Sequence, residues 1–183
     1  MRRSPALTPF VIAALVIAAM SGCLPSDPAP VRPLEPTAVP LFASDEGALA
    51  AAEEAYTKYL AASDQIAQEG GANPERLADY VTDDWLLEEA DAFTRLADTG
   101  RRQVGTTLLR RAEMQRYDVA SSGDEVVIYA CVDFGSSYFV DAQGAVVTPP
   151  EQSTLVTFEI QLVAVQDRLL IAGSELWESE SVC

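Results

Sequence analysis

The 183-residue sequence has no histidine and a single lysine, Lys58. Without imidazole, the commonest general acid–base side chain and the commonest metal ligand are both missing. Thiols are scarce too, at three: Cys23, Cys131 and Cys183. A structural zinc site built without histidine needs four thiolates, so no metal centre is expected, and no cofactor. Positive charge is the next shortage. There are 12 basic against 28 acidic residues, a formal net charge of −16. Arg2 and Arg3 precede Cys23 and every acid follows it, so a chain cleaved before Cys23 carries −18. Such a domain repels phosphate backbones, which argues against nucleic acid as a partner. The acidity itself has two readings, solubility of a surface protein or complementarity to a cationic partner.

What is present begins with an address. Arg2 and Arg3 form a positive n-region, "FVIAALVIAAM" is an uninterrupted apolar run, and the small residues Ser21 and Gly22 follow. This is the layout of a secretory signal. The run is shorter than the ~20 apolar residues that cross a bilayer, which sets a signal anchor below a cleaved signal. "MSGC", residues 20–23, resembles the lipobox of bacterial lipoproteins, with Met20 where Leu is usual. The resemblance implies diacylglyceryl modification of the Cys23 thiol, cleavage just before it, and residence on the outer face of the cell membrane. Free secretion is the other reading of the same segment. Six prolines between Leu24 and Pro40 then exclude helix and sheet and favour extended polyproline II. The expected organisation is a signal peptide over 1–22, a lipidated cysteine with a Pro-rich tether over 23–43, and a folded domain over 44–183.

In that domain, Leu49, Ala52, Tyr56, Tyr59, Leu60, Ser63, Ile66 and Ala67 recur at three- and four-residue steps. They predict a helix from Ser44 or Asp45 to Gly70-Gly71. Asn73-Pro74 reads as a cap followed by a first-turn proline, opening a short helix to Tyr80 or Val81. Thr82-Asp83-Asp84 caps a third helix whose apolar side is Trp85, Ala92, Phe93 and Leu96, closed by Gly100. Beyond Gly100 the period shortens. "RQVGTTLLRRAEMQRYDV" has strand character with Gly105 as a bulge, "SSGD" is a turn, and "EVVIYACVDF" is a strand. "VDAQGAV" predicts a small hairpin tipped by Gly144. "STLVTFEIQLVAV" alternates, with Val156, Phe158, Ile160 and Leu162 on one face, and turns at Gln166-Asp167 into "RLLIAGSELWE". Helices first and antiparallel strands afterwards predict an α+β domain with the helices on one side of a sheet.

The order of these pieces, "AYTKYLAA", "LADYVTDDW", "VIYACVDF", "VDAQG" and the closing "FEIQLVAVQDRLLIAGSELWE", resembles the NTF2-like (cystatin-like, SnoaL-like) superfamily. It is most similar to small actinobacterial envelope lipoproteins of that fold. The resemblance implies a cone of N-terminal helices on a curved antiparallel sheet, with Tyr56, Tyr80, Asp84, Trp85 and Phe93 as candidate pocket residues. It also implies that a homodimer could form through the sheet. Enzymes of the superfamily, isomerases and cyclases among them, use an Asp or His base. Here only carboxylates and tyrosines remain, among them Asp83, Asp84, Tyr129, Asp133 and Glu159, and no residue is assigned a catalytic role. Asp83 and Asp84 have a plainer use as helix caps. Glu159 falls on the solvated face of its strand. The reading is a non-catalytic module of the cell envelope that binds an envelope protein or a small hydrophobic ligand. The alternative is an isomerase or cyclase using a buried carboxylate on a small hydrophobic substrate.

Six of the basic residues fall between Arg95 and Arg116. Arg101, Arg102, Arg110 and Arg111 are the candidate partner patch; salt bridging to neighbouring acids, or a charged strand edge, is the plainer reading. Cys131 and Cys183 are an even pair, which oxidises outside the cytoplasm. Closing a loop of about 50 residues would add about 4 kcal/mol and hold the C-terminal tail to the sheet. Two unpaired thiols are the alternative.

Overall fold

A computed structural model describes residues 39–120, 122–147, 154–179 and 181–183. The signal segment, Cys23, nearly all of the Pro-rich tether and the Pro149-Pro150 break lie outside these residues. The domain is α+β, as the order of elements predicts. Helix α1 spans Asp45–Gln68 and α2 spans Asp83–Asp98, with a 3₁₀ segment, Pro74–Asp79, between them. Six strands follow: β1 (Arg102–Val104), β2 (Leu108–Asp118), β3 (Glu125–Asp133), β4 (Tyr138–Val140), β5 (Leu155–Val165) and β6 (Arg168–Leu176). β2-β3-β5-β6 form one antiparallel sheet, and β1 pairs with β4 in a separate two-stranded ribbon.

The Ser44 hydroxyl caps α1 by accepting from Gly47 N, with Asp45 and Glu46 in the positive first turn. The helix ends where expected. Gly70 and Gly71 take φ of +76° and +86°, and Gly71 N donates to Ile66 O at 2.9 Å. Gly71 also serves packing, since a Cβ there would lie 2.3 Å from the Phe93 carbonyl oxygen. The buried face of α1 is Ala48, Ala52, Tyr56, Tyr59, Leu60, Asp64, Ile66 and Ala67. Asp64 in place of Ser63 is the departure that matters.

Three local expectations are corrected. Asn73 does not cap: it is left-handed (φ 55°) and its side chain makes no cap hydrogen bond. The six residues from Pro74 tighten into a 3₁₀ turn, where Tyr80 N and Val81 N both bond to Leu77 O, and Tyr80 O just beyond it accepts from Ile171 N of β6. Ala92 is exposed. At 100° per residue the inward stripe of α2 is Trp85, Glu89, Phe93 and Leu96, and Ala92 falls beside it. The long segment after Gly100 is two strands, not one. Gly105 (φ +84°) turns the chain between β1 and β2, and a Cβ there would sit 1.7 Å from Ser136 O. The irregularities of β2 lie instead between Leu109 and Arg111 and between Met114 and Arg116.

β3 is buried on both faces. Val126, Ile128, Ala130 and Val132, all 0% exposed, meet Ile160 and Leu162 of β5, Ile171 of β6 and the inward side of α1. Each fully buried Ile, Leu or Val is worth about 1.5–3 kcal/mol. The expected β5 face of Val156, Phe158, Ile160 and Leu162 is this same inner layer. On the outer face the C-terminal tail folds back over β3 and β5. The Cys131–Cys183 disulfide closes it, Trp177 lies over Tyr129 with ring centroids 4.7 Å apart, and the Thr157 hydroxyl contacts Ser181 Oγ and accepts from Val182 N. The edge of β6 is covered at Ile171, which bridges Val81 and accepts from Thr82 N. Among the described residues no strand pairs with the outer edge of β2, at the end of the strand order.

Candidate functional site

The sheet's inner face and the two helices enclose the most unusual chemistry of the domain. Tyr56 and Tyr59 sit three residues apart on α1, buried and stacked at 5.7 Å. Trp85 and Glu89 sit four apart on α2 and face them. Tyr59 donates its hydroxyl to Glu89 Oε1 at 2.8 Å. Burial pushes the Glu89 carboxyl up from its ordinary range, partly opposed by the Tyr59 hydroxyl and the Trp85 indole. Burial and the nearby Glu89 carboxylate push both tyrosines up. The Trp85 indole N–H is buried and makes no hydrogen bond of acceptable geometry, although its dipole favours ionised Glu89. Chemically, the cluster holds an acid of raised proton affinity against two neutral phenols and leaves one N–H donor unused.

Of the five candidate pocket residues, Tyr56 and Trp85 belong to this cluster and Phe93 lies in the adjoining core. Asp84 is exposed on the first turn of α2. Tyr80 lines a different place, a cleft of about 510 Å³ between α1, the 3₁₀ segment and the β5–β6 turn, with Phe42, Lys58 and Arg168. The five therefore divide among four locations. Glu89 was not singled out from the sequence. Its signal was an acid four residues from Trp85 and from Phe93, on the inward stripe of an amphipathic helix.

Two further buried acids are structural. Asp64, 6% exposed, accepts from Gln103 Nε2 (2.6 Å), Thr107 N (2.6 Å) and Thr107 Oγ1 (2.8 Å), locking α1 to the β1–β2 connection. Asp124, 4% exposed, accepts from Leu41 N (2.7 Å) and the Tyr117 hydroxyl (2.6 Å). Phe42 adds an edge-on contact to Tyr117 at 5.9 Å. The chain leading out of the Pro-rich segment is thus fastened at the β2–β3 turn.

The arginine stripe separates into two classes. Arg95 pairs with Asp91, Arg110 with Asp133, Arg111 with Glu113, and Arg116 with Asp118 and Glu125. The Gly135 N–H first, and the Arg110 guanidinium second, hold the Asp133 carboxyl below its usual range. Among the described residues Arg101 and Arg102 alone of the cations enter no ion pair, and both are exposed. Among the described residues no cluster of carboxylates and thiols has the geometry of a metal site, and no helix is long and apolar enough to cross a membrane. Cys23 lies outside the described residues. Glu159 lies on the outer sheet face, opposite Tyr129 and Glu175, where the returning tail leaves it half-buried.

No protein-family model matches the sequence, and no curated protein matches it. Among solved structures, the fold is similar to the crystal structure of the intermembrane space region of the chloroplast protein ARC6. The TM-score is 0.50 at 13% sequence identity, covering 70% of this chain and 95% of that one. At that identity the likeness is one of fold alone.

Proposed function

We propose that this chain is a lipid-anchored protein of the outer face of the cell membrane, whose NTF2-like domain binds an envelope partner or a small hydrophobic ligand without catalysing a reaction. The pairing of Cys131 with Cys183 carries the extracytoplasmic part of the reading, because such bonds persist in oxidising compartments. "MSGC" after an apolar run supplies the anchor, and the prolines that follow supply a spacer. The packed interior supports partner binding at the surface over either catalysis or ligand binding inside the cone. Tyr56, Leu60, Phe93, Ile128 and Ile160, each 9% exposed or less, fill the space between helices and sheet that a substrate would need.

Cys23→Ala tests the anchor in cells. The wild type should fractionate with membranes and take up an alkyne fatty acid, and the variant should leave the membrane fraction or stall uncleaved. A variant that stays on membranes at wild-type level, or a wild type without acyl label, overturns the reading.

One observation favours the isomerase or cyclase alternative. Glu89 is a half-buried carboxylate of raised proton affinity beside Tyr59, an arrangement a carbon-acid base can use.

A further inference from the structure

β2 is an edge strand eleven residues long, hydrogen-bonded among the described residues to β3 on one side only. Edges of this length are normally covered, shortened or interrupted, since their free N–H and C=O groups invite another strand. β2 is interrupted twice, yet Arg111–Met114 runs regularly between the two irregularities. Beside this edge runs α1, and the space between them is not filled. Two clefts of about 540 and 430 Å³ lie there end to end, meeting at Thr57 and Leu109, and the two together are termed the groove. Ala50, Thr57 and Ala61 keep the helical wall low. Leu60 and Leu108 give the far part an apolar floor. A low helical wall beside an open strand edge is the geometry by which domains accept a peptide as an extra strand.

The charge of the groove selects the occupant. Lys58, Arg110 and Arg111 line its near part, each already in an ion pair, with Glu54, Asp133 and Glu113 respectively, so among the described residues the cations still free to meet an acid lie beyond the far end. At the far end Gln68 donates to Gly105 O, and the Arg101 backbone lies against Gly70. That end of the groove therefore adjoins Arg101 and Arg102, both exposed and, among the described residues, without an acidic partner. With 28 acids in the chain, that lack of pairing does not arise from scarcity.

We propose that the groove between α1 and the open edge of β2 takes an acidic, extended segment of a partner protein as an added strand, with Arg101 and Arg102 receiving its carboxylates. This rests on the partner-binding reading above, and the two fail separately. Membrane attachment is read by Cys23→Ala in cells, and the groove by a peptide on the purified chain.

The test uses the full chain in detergent and a fluorescein-labelled peptide of alternating valine and glutamate, seven residues long. Binding is expected, with slowed amide exchange over 108–114. It should weaken at least tenfold in Arg101→Glu/Arg102→Glu. It should not weaken in Arg95→Glu/Arg168→Glu, which changes the net charge equally at sites off the groove. N-methylation of alternate peptide amides, which removes the strand-pairing donors, should abolish binding. Four results overturn the proposal: no binding, equal binding of the N-methylated peptide, equal loss in both double variants, or protection confined to other elements. Protection of 108–114 without peptide in a sedimenting dimer also overturns it, since the edge then belongs to a second copy.

Discussion

Cys183→Ser releases a bond that spans 52 residues of sequence and fastens the last residue of the chain to the middle of β3. The loop-entropy relation puts the loss at about 4 kcal/mol for a closure of that length. Cys131 is 3% exposed and would remain as a small buried hydrophobe, so the variant opens no cavity beneath the sheet. The tail would then be held by Trp177 on Tyr129 and by the bonds of Ser181 and Val182 to the Thr157 hydroxyl. A domain of this size loses about 1–3 kcal/mol per molar urea, so the midpoint should fall by roughly 1–4 M. Tryptophan fluorescence follows both the transition and the tail. Trp177 should shift to the red in the native variant as it leaves Tyr129, while Trp85, held between the helices, should not. Wild type with reductant should overlay the variant. Oxidised wild type and Cys183→Ser sharing one midpoint would refute the stabilising role, and two alkylatable thiols at 131 and 183 in denatured, unreduced protein would refute the bond.

Two more perturbations read the buried acids. Because the folded state raises the Glu89 pKa, its favourable contribution is complete below the unfolded value near 4.5 and is lost as pH rises through the folded value. The stability of wild type relative to Glu89→Gln should therefore rise as pH falls from 8 to 4.5, measured by urea midpoints; a difference flat with pH sinks the assignment. Asp64→Ala strands Gln103 and the Thr107 amide, and should cost about 3–4 kcal/mol and speed exchange of the Thr107 N–H. A loss under about 1 kcal/mol would show that water replaces the carboxylate.

The elements were legible where local rules act alone. Ser44, Gly70-Gly71 and Thr82 mark helix ends by capping chemistry that needs no tertiary partner. The alternation in β5 needs only a sheet with one covered face. What stayed hidden depends on contacts between segments far apart in sequence. Asn73 reads as a cap, but it is left-handed, and the 3₁₀ segment it opens leads into a bond to β6. Gly105 reads as a bulge until Ser136 is brought against it. Glu89 reads as one acid in an acidic helix until Tyr59, thirty residues earlier, offers it a hydroxyl. The burial of Cys131 on the outer face of β3 was not legible from the strand itself, because it depends on the returning tail and the Cys183 thiol.

Asp64, Asp124 and Glu89 share a logic that connects stability to the way the chain enters the domain. None is neutralised by a cation. Seven of the nine cations among the described residues are used in exposed pairs, and Asp64, Asp124 and Glu89 are met by N–H and O–H donors instead. Donors of this kind hold a carboxylate only in one geometry, so each acid acts as a joint between elements distant in sequence. Asp124 is the joint that receives the chain at Leu41. By fixing Leu41 at the β2–β3 turn, it makes one end of β2 the attachment end. The strand then runs about 35 Å, at 3.4 Å per residue, to the end where Arg101 and Arg102 stand. The unpaired arginines therefore stand at the end of β2 remote from the point where the chain enters the domain, and on the anchored reading proposed above that is the end an acidic segment of a partner would reach.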